Sequence, residues 1–417
     1  EMPAQRNLVS GVTRFSHTLL RADELPMVLA RAFAIFNSER SGPVHIEIPI
    51  DVIQSPADHL DITPFVLPSP PGPSTQAIIT ATDWLKNAKQ PLIAIGGGSV
   101  RAASEVRALA EKLGAPVINT VNAKGVLPYS HPLAVGGSGS CPAVRKALNS
   151  ADVVLAVGTE FGETDYDYFY QGGVEIKGRL IRIDIDSSQL TRNIRSDLSI
   201  CSDATQALQA LNQSILGASA DGSGEARALE IRKELKASRQ TGYEKFFDAI
   251  QSALPGVIIA GDSTQPVYYA WLHYETEKPR RYFHSASGFG TLGYAIPAAI
   301  GAKLAMPDSP VMGLIGDGAA QFTIGEMAAA VEAKLPVIFL IWNNNGYGEI
   351  KRFMTEGDIP QIGVDIYTPD FIALGKAFGC HAVIVNNLNQ LQQELVTASE
   401  RQLPTVIEVK QGDFVDI

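Results

Sequence analysis

The strongest constraint on the fold lies between Pro310 and Ile350, where two short apolar runs, VMGLI and VIFLIW, bracket a segment with helical patterning. Short runs this rich in apolar and β-branched residues read as strands buried on both faces. Between them, Thr323 is placed as an N-cap with Glu326 three residues on. Met327, Ala330, Val331 and Leu335 then share a helical face before Pro336 ends it. A strand, helix, strand unit closes right-handed and makes its two strands parallel. The Gly316-Asp317-Gly318 turn and the Asn343-Asn344-Asn345 run therefore meet at the carboxyl edge, where open α/β sheets bind ligands.

At that edge an Asp carboxylate, an Asn amide oxygen and the carbonyls of a Gly-containing turn offer hard oxygen ligands with little charge. The set suits Mg²⁺ or Ca²⁺ and leaves positions open for phosphate oxygens. Gly318, Ala319 and Ala320 add small residues at a helix start, where free N–H groups favour an anion. Each fragment alone reads as an ordinary tight turn. Placed at the ends of adjacent strands, they point to a magnesium diphosphate.

Gly316-Asp317-Gly318 through Asn343-Asn344 resembles the signature of thiamine diphosphate-dependent enzymes, a GDG leading through one helix and one strand to paired asparagines. The resemblance implies Mg²⁺ held by Asp317, Asn344 and the carbonyl of Gly346, with Tyr347 beside the cofactor. "SGFGTLG", from Ser287, resembles the family stretch in which an apolar wedge bends the cofactor into a V. On that match Leu292 is the wedge and the carbonyl of Gly290 accepts the 4′-amino group. "VIIAGDSTQ" is a strand ending in Asp262, Ser263, Thr264 and Gln265, which resemble the second diphosphate loop; read without the family it is a strand-to-helix N-cap.

Composition fits this picture. A chain of 417 residues exceeds one core and suggests two to three domains. Net charge is −10, so no basic surface invites nucleic acid or an anionic membrane. No apolar run approaches the ~20 residues that span a bilayer, and no signal-peptide segment opens the chain, so a cytoplasmic location is expected. Cys141, Cys201 and Cys380 have no paired spacing, and all three read as filler in or near cores. No Gly-x-x-x-x-Gly-Lys-Ser/Thr occurs, which excludes a P-loop NTPase.

The expected fold class is α/β, and the resemblance implies doubly wound parallel sheets in a thiamine diphosphate-binding fold with a Rossmann-like central domain. Residues 1–60 resemble the end of the family's pyrimidine-binding domain, with "SGPVHIEIPIDV" as its closing strand. The Pro-rich 61–76 and the Gly/Ser-rich 216–235 read as linkers, flexible in the second case. The same resemblance implies that residues 77–215 form the central domain and 236–417 the diphosphate- and Mg-binding domain. The glutamate that activates the cofactor belongs to an earlier part of the pyrimidine-binding domain, and no residue here matches it. Family members set the cofactor between two subunits, which implies a homodimer or homotetramer.

In the central domain Gly96-Gly97-Gly98 follows a strand, but a dinucleotide fingerprint needs Gly or Ala at position 101, where Arg101 stands. Some family members bind FAD here with an arginine-containing loop. This chain has the acidic "TEFGETDYDY" instead, so FAD is the disfavoured reading. Asp165 and Asp167 of that loop, with Glu349 beyond the metal turn, suggest recognition of a cationic tail on a 2-oxo acid substrate, such as the deaminated form of arginine. The resemblance implies a 2-oxo acid decarboxylase. An acetolactate synthase-type carboligase is the alternative, and a regulatory homologue without thiamine chemistry is a third reading.

Overall fold

The computed structural model describes residues 4–216 and 222–415. Three parallel sheets organise them. β1 (Phe15–Thr18) and β2 (Val44–Glu47) pair in parallel around the helix Leu25–Ser38, so the expected closing strand has a partner that the sequence patterning did not reveal. From the end of the short helix at Ile53 to Thr75 there is no helix or strand, in keeping with the Pro-rich composition.

The second sheet contains β3 (Pro91–Ile95), β4 (Val117–Asn119), β5 (Val153–Val157), β6 (Arg179–Asp184) and β7 (Leu198–Cys201), in the order β4-β3-β5-β6-β7. β3 and β5 are buried at every position, as strands covered on both faces must be. Gly98 and Gly158 let the loops after these two strands close on each other: a Cβ on Gly98 would sit 2.8 Å from Gly158 Cα. Cys141 and Cys380 lie in apolar cores as expected, whereas Cys201, at the end of edge strand β7, is exposed.

The expected flexible linker is largely a helix. Ser223–Ala237 lays Ala228 and Leu235, seven residues apart, into the core beside β3 and β5, and Glu234 reaches Lys146 at 2.7 Å. Its run of alanine, glutamate, leucine and lysine favours a helix once an apolar face has somewhere to dock. Residues 217–221 of that segment lie outside the described residues.

The third sheet runs β12-β13-β11-β10-β8-β9, formed by β8 (Ile258–Gly261), β9 (Tyr282–His284), β10 (Val311–Gly316), β11 (Ile338–Asn343), β12 (His381–Val385) and β13 (Thr405–Lys410). Because β9 leaves β8 on one side and β10 returns on the other, strand order reverses between β8 and β10. Their carboxyl ends flank a crevice of the kind that binds ligands in open α/β sheets. The connection from β10 to β11 starts earlier than the patterning suggested. A helix begins directly at Asp317 and runs to Thr323, a 3₁₀ turn follows, and a second helix spans Met327–Glu332. Thr323 is not a side-chain cap; its hydroxyl donates to the carbonyl of Gly293 at 2.8 Å.

The second and third sheets are locked by a buried ion pair. Lys124 Nζ donates to Glu275 Oε1 at 2.8 Å and to the carbonyl of Tyr274 at 2.6 Å, and Glu275 Oε1 also accepts from Gly137 N at 2.9 Å. Val121, three residues before the lysine, packs into the aromatic core of the third sheet with Tyr269, Tyr282 and Trp342. A buried pair loses most when one partner is removed, because the other charge is stranded. Lys124→Met should destabilise the protein by about 3–5 kcal/mol in denaturant unfolding. Adding Glu275→Gln to it should recover part of that loss.

Candidate functional site

Four loops at the carboxyl edge of the third sheet enclose a cavity of about 400 Å³. The loop after β8 begins with Asp262, which is fully buried. Its Oδ2 accepts from Gly293 N at 3.1 Å and Ala295 N at 3.0 Å, and its Oδ1 from Ser263 N at 3.0 Å. The carboxylate therefore ties the first loop to the start of the helix Ala295–Ala305 and does not line the cavity. Burial pushes its pKa up against these N–H donors. Between the tied points, Gly290 and Gly293 take left-handed φ angles of 66° and 86°, which suit glycine. Ser263 Oγ lies 2.9 Å from Ser285 Oγ and donates to the carbonyl of Gly290 at 3.3 Å. Leu292 is part-buried on the core and turned to the cavity.

The three asparagines at the end of β11 take three different tasks. Asn343 donates to Glu408 Oε1 of β13 at 2.7 Å and accepts from Asn345 N at 3.0 Å. Asn345 adopts φ 59°, a left-handed conformation that asparagine tolerates well. Asn344 Nδ2 donates to Gln265 Oε1 at 3.3 Å, which turns its amide oxygen inward, 2.8 Å from the carbonyl of Gly346 and 3.2 Å from Asp317 Oδ1. Gly348 makes this possible, since a Cβ there would sit 2.4 Å from Asn344 Nδ2.

Asp317 is 1% exposed, and its Oδ2 accepts from Gly346 N at 3.0 Å and Thr368 Oγ1 at 3.3 Å. Burial raises its pKa, opposed by these donors. Three acceptor oxygens thus face one another with no donor between them. That arrangement is repulsive unless a cation enters or the amide turns over. An octahedral Mg²⁺ at ~2.0–2.1 Å sets neighbouring ligand oxygens about 2.9 Å apart. Separations of 2.8 and 3.2 Å bracket that value. Among the described residues no group of three or more His, Cys, Asp and Glu could hold a metal, so this mixed set of carboxylate, amide and carbonyl is the metal candidate.

Of the residues singled out from sequence, Ser263, Thr264, Gln265, Gly290, Leu292, Gly316, Asp317, Gly318, Ala319, Asn344, Gly346, Tyr347 and Glu349 line the cavity. Asp262 stands behind it. Asp165 is not brought there: it lines a separate cavity of about 260 Å³ at the edge of the second sheet, accepts from Val121 N at 2.9 Å, and is pushed up to about 6 by burial. Asp167 lines neither cavity and spans two short helices with φ 50°. Tyr268, Phe289 and Ile350 line the main cavity without having been singled out. Tyr268 follows Thr264 by one helical turn, a spacing that could have marked it. Thr368 had no local signal at all.

Residues 78–211 match the thiamine pyrophosphate enzyme central domain, and residues 262–409 match the thiamine pyrophosphate enzyme C-terminal TPP binding domain. This chain belongs to the thiamine pyrophosphate (thiamine diphosphate) enzyme family. Its relatives include a protein of Pseudomonas aeruginosa described as "probable 2-ketoarginine decarboxylase", 36% identical over 98% of this chain and 74% of the relative. The acetolactate synthase large subunit of Corynebacterium glutamicum is 29% identical over 99% of this chain and 69% of its own length. Benzoylformate decarboxylase from Polynucleobacter necessarius shares the fold with a TM-score of 0.79 at 22% identity, covering 95% of this chain and 76% of that structure. The chain is a thiamine diphosphate enzyme of the branch that holds 2-oxo acid decarboxylases and acetolactate synthases.

Proposed function

We propose that this enzyme decarboxylates a 2-oxo acid bearing a cationic tail, with thiamine diphosphate and Mg²⁺ as cofactors. The observation that carries the metal assignment is the convergence of the Asp317 carboxylate, the Asn344 side-chain amide and the Gly346 carbonyl, with Asn344 3.2 and 2.8 Å from the other two. These three would hold Mg²⁺, and the first-turn N–H groups after Gly316, with the hydroxyls of Ser263 and Thr264, would receive the diphosphate. Leu292 and the carbonyl of Gly290 would fix the shape and orientation of the bound group. When bound, thiamine diphosphate supplies a nucleophilic carbon and accepts the electrons that departing CO₂ leaves behind.

Charge in the cavity supports the substrate class. Its lining contains two carboxylates, Asp317 and Glu349, and no lysine or arginine. With Asp317 on the metal, Glu349 is the charge left to meet the substrate, and a guanidinium suits a carboxylate. The 36% identical relative is named for an arginine-derived 2-oxo acid. The carboligase reading rests on relatives at lower identity.

FAD is left out of this reading. The second sheet's cavity, about 260 Å³, falls below the ~300–1,000 Å³ usual for ligand sites. It sets Glu160, Asp165 and Asp184 against one arginine, Arg40, which is already paired with Glu160 at 3.0 Å. A homodimer or homotetramer and a cytoplasmic location complete the proposal. No described helix is long and apolar enough to cross a membrane.

Two measurements test it. Adding thiamine diphosphate and Mg²⁺ should raise the melting temperature of the wild type, as ~2.7 kcal/mol of stabilisation at a hundredfold excess over Kd requires. Asp317→Ala should abolish that rise; a rise that persists unchanged defeats the metal assignment. In kinetics the wild type should prefer 5-guanidino-2-oxopentanoate to pyruvate. Glu349→Gln should cut kcat/KM for the guanidino substrate about 10- to 150-fold, the loss of a charge-assisted pair worth roughly 1.5–3 kcal/mol. A wild type that prefers pyruvate contradicts the substrate class.

A further inference from the structure

The helix Gly348–Glu356 grows out of the metal turn, and no residue of it is buried. Glu349, in its first turn, lines the cofactor cavity. Arg352, one turn later, lines a neighbouring open cavity of about 870 Å³. Gln265 borders both cavities, so Gln265 and this helix form the wall between them. Across that wall the Arg352 guanidinium returns to Glu349: Nε donates to Glu349 Oε1 at 3.2 Å, and Nη2 donates to the same oxygen. Its Nη1 donates to Glu356 Oε1 at 2.6 Å, and its Cζ lies 4.4 Å from the centroid of the Phe353 ring. That ring stacks on Tyr170, from the second sheet's acidic loop, at 6.2 Å and 19° between planes.

We propose that Arg352 is a built-in guanidinium that satisfies Glu349 before substrate arrives and gives it up to the cationic tail of the substrate. This rests on the reading of Glu349 as the recognition carboxylate. The geometry suits an exchange of like for like. Both bonds from Arg352 end on Oε1, which leaves Oε2 to take the first N–H of an incoming guanidinium before the arginine lets go. Once released, Arg352 keeps Glu356 and the face of Phe353, and the larger cavity has room for it. A neutral 2-oxo acid offers no replacement cation, so Arg352 stays on Glu349 and the tail gains nothing from the carboxylate. The pair is half-exposed, with side chains 46% and 28% accessible, so the competition it sets up is weak enough for a substrate to win.

The test is a double-mutant cycle on the full enzyme with thiamine diphosphate and Mg²⁺. It comprises wild type, Arg352→Gln, Glu349→Gln and the double variant, with Arg352→Lys as the conservative control. The readout is the ratio of kcat/KM for 5-guanidino-2-oxopentanoate to that for the neutral 2-oxohexanoate. Removing the internal competitor should raise the ratio about two- to fivefold, the range expected for an exposed ion pair, and the change should be carried by KM. Arg352→Lys should stay near the wild type. In the Glu349→Gln background, Arg352→Gln should leave the ratio where Glu349→Gln alone put it. If Arg352→Gln leaves or lowers the ratio while Glu349→Gln still collapses it, the exchange is wrong and the recognition role of Glu349 survives. A wild type with no preference for the guanidino substrate defeats the underlying reading and the exchange together.

Discussion

Three oxygens turned toward one another at the ends of β10 and β11 are the constraint on which the rest of the site depends. Asp317 is held from behind by Gly346 N and Thr368 Oγ1, so it cannot swing away. Asn344 is held by Gln265, and Gly348 leaves it the space. Parallel pairing of β10 with β11, register Gly316 to Trp342, brings the two loops level. Without a cation the cluster is repulsive in this orientation and is relieved only if the Asn344 amide turns over, while the surrounding hydrogen bonds keep its members together. The chemistry of a diphosphate cofactor follows from that preorganised position.

Support for the cluster comes from groups that never touch it. Asp262 spends its carboxylate on three backbone N–H groups, and in doing so fixes the loop that carries Gly290 and Leu292. Asn343 and Glu408 pin the start of the asparagine turn to the neighbouring strand. The Lys124–Glu275 pair sets the second sheet against the third. Tyr170, in the segment after β5 of the second sheet, meets Phe353 beyond the asparagine turn, so the helix bearing Glu349 touches both units.

Features with a short-range cause were readable from the chain. The apolar runs around Asp317 and Asn344 made strands, their parallel pairing followed from handedness, and the edge location followed from both. Features set by distant partners were not. β1 has four half-buried residues and no distinctive pattern, and becomes a strand because β2 is beside it. Asp262 looked like a cofactor contact because nothing local shows that Gly293 and Ala295, some thirty residues on, would claim its oxygens. Asp165 carried the right chemistry for a cation but folds under the second sheet's own edge, against Val121. Glu349, five residues past Asn344, shares the cavity because a helix start keeps it there.

Anomalous scattering from crystals grown with Mn²⁺ and thiamine diphosphate tests the central claim most directly. One peak should appear bonded to Asp317 Oδ1, Asn344 Oδ1 and the carbonyl of Gly346 at about 2.0–2.2 Å, with the Asn344 amide nitrogen still toward Gln265. A metal held elsewhere, or an Asn344 amide turned over so that its nitrogen donates to the Gly346 carbonyl, would contradict it.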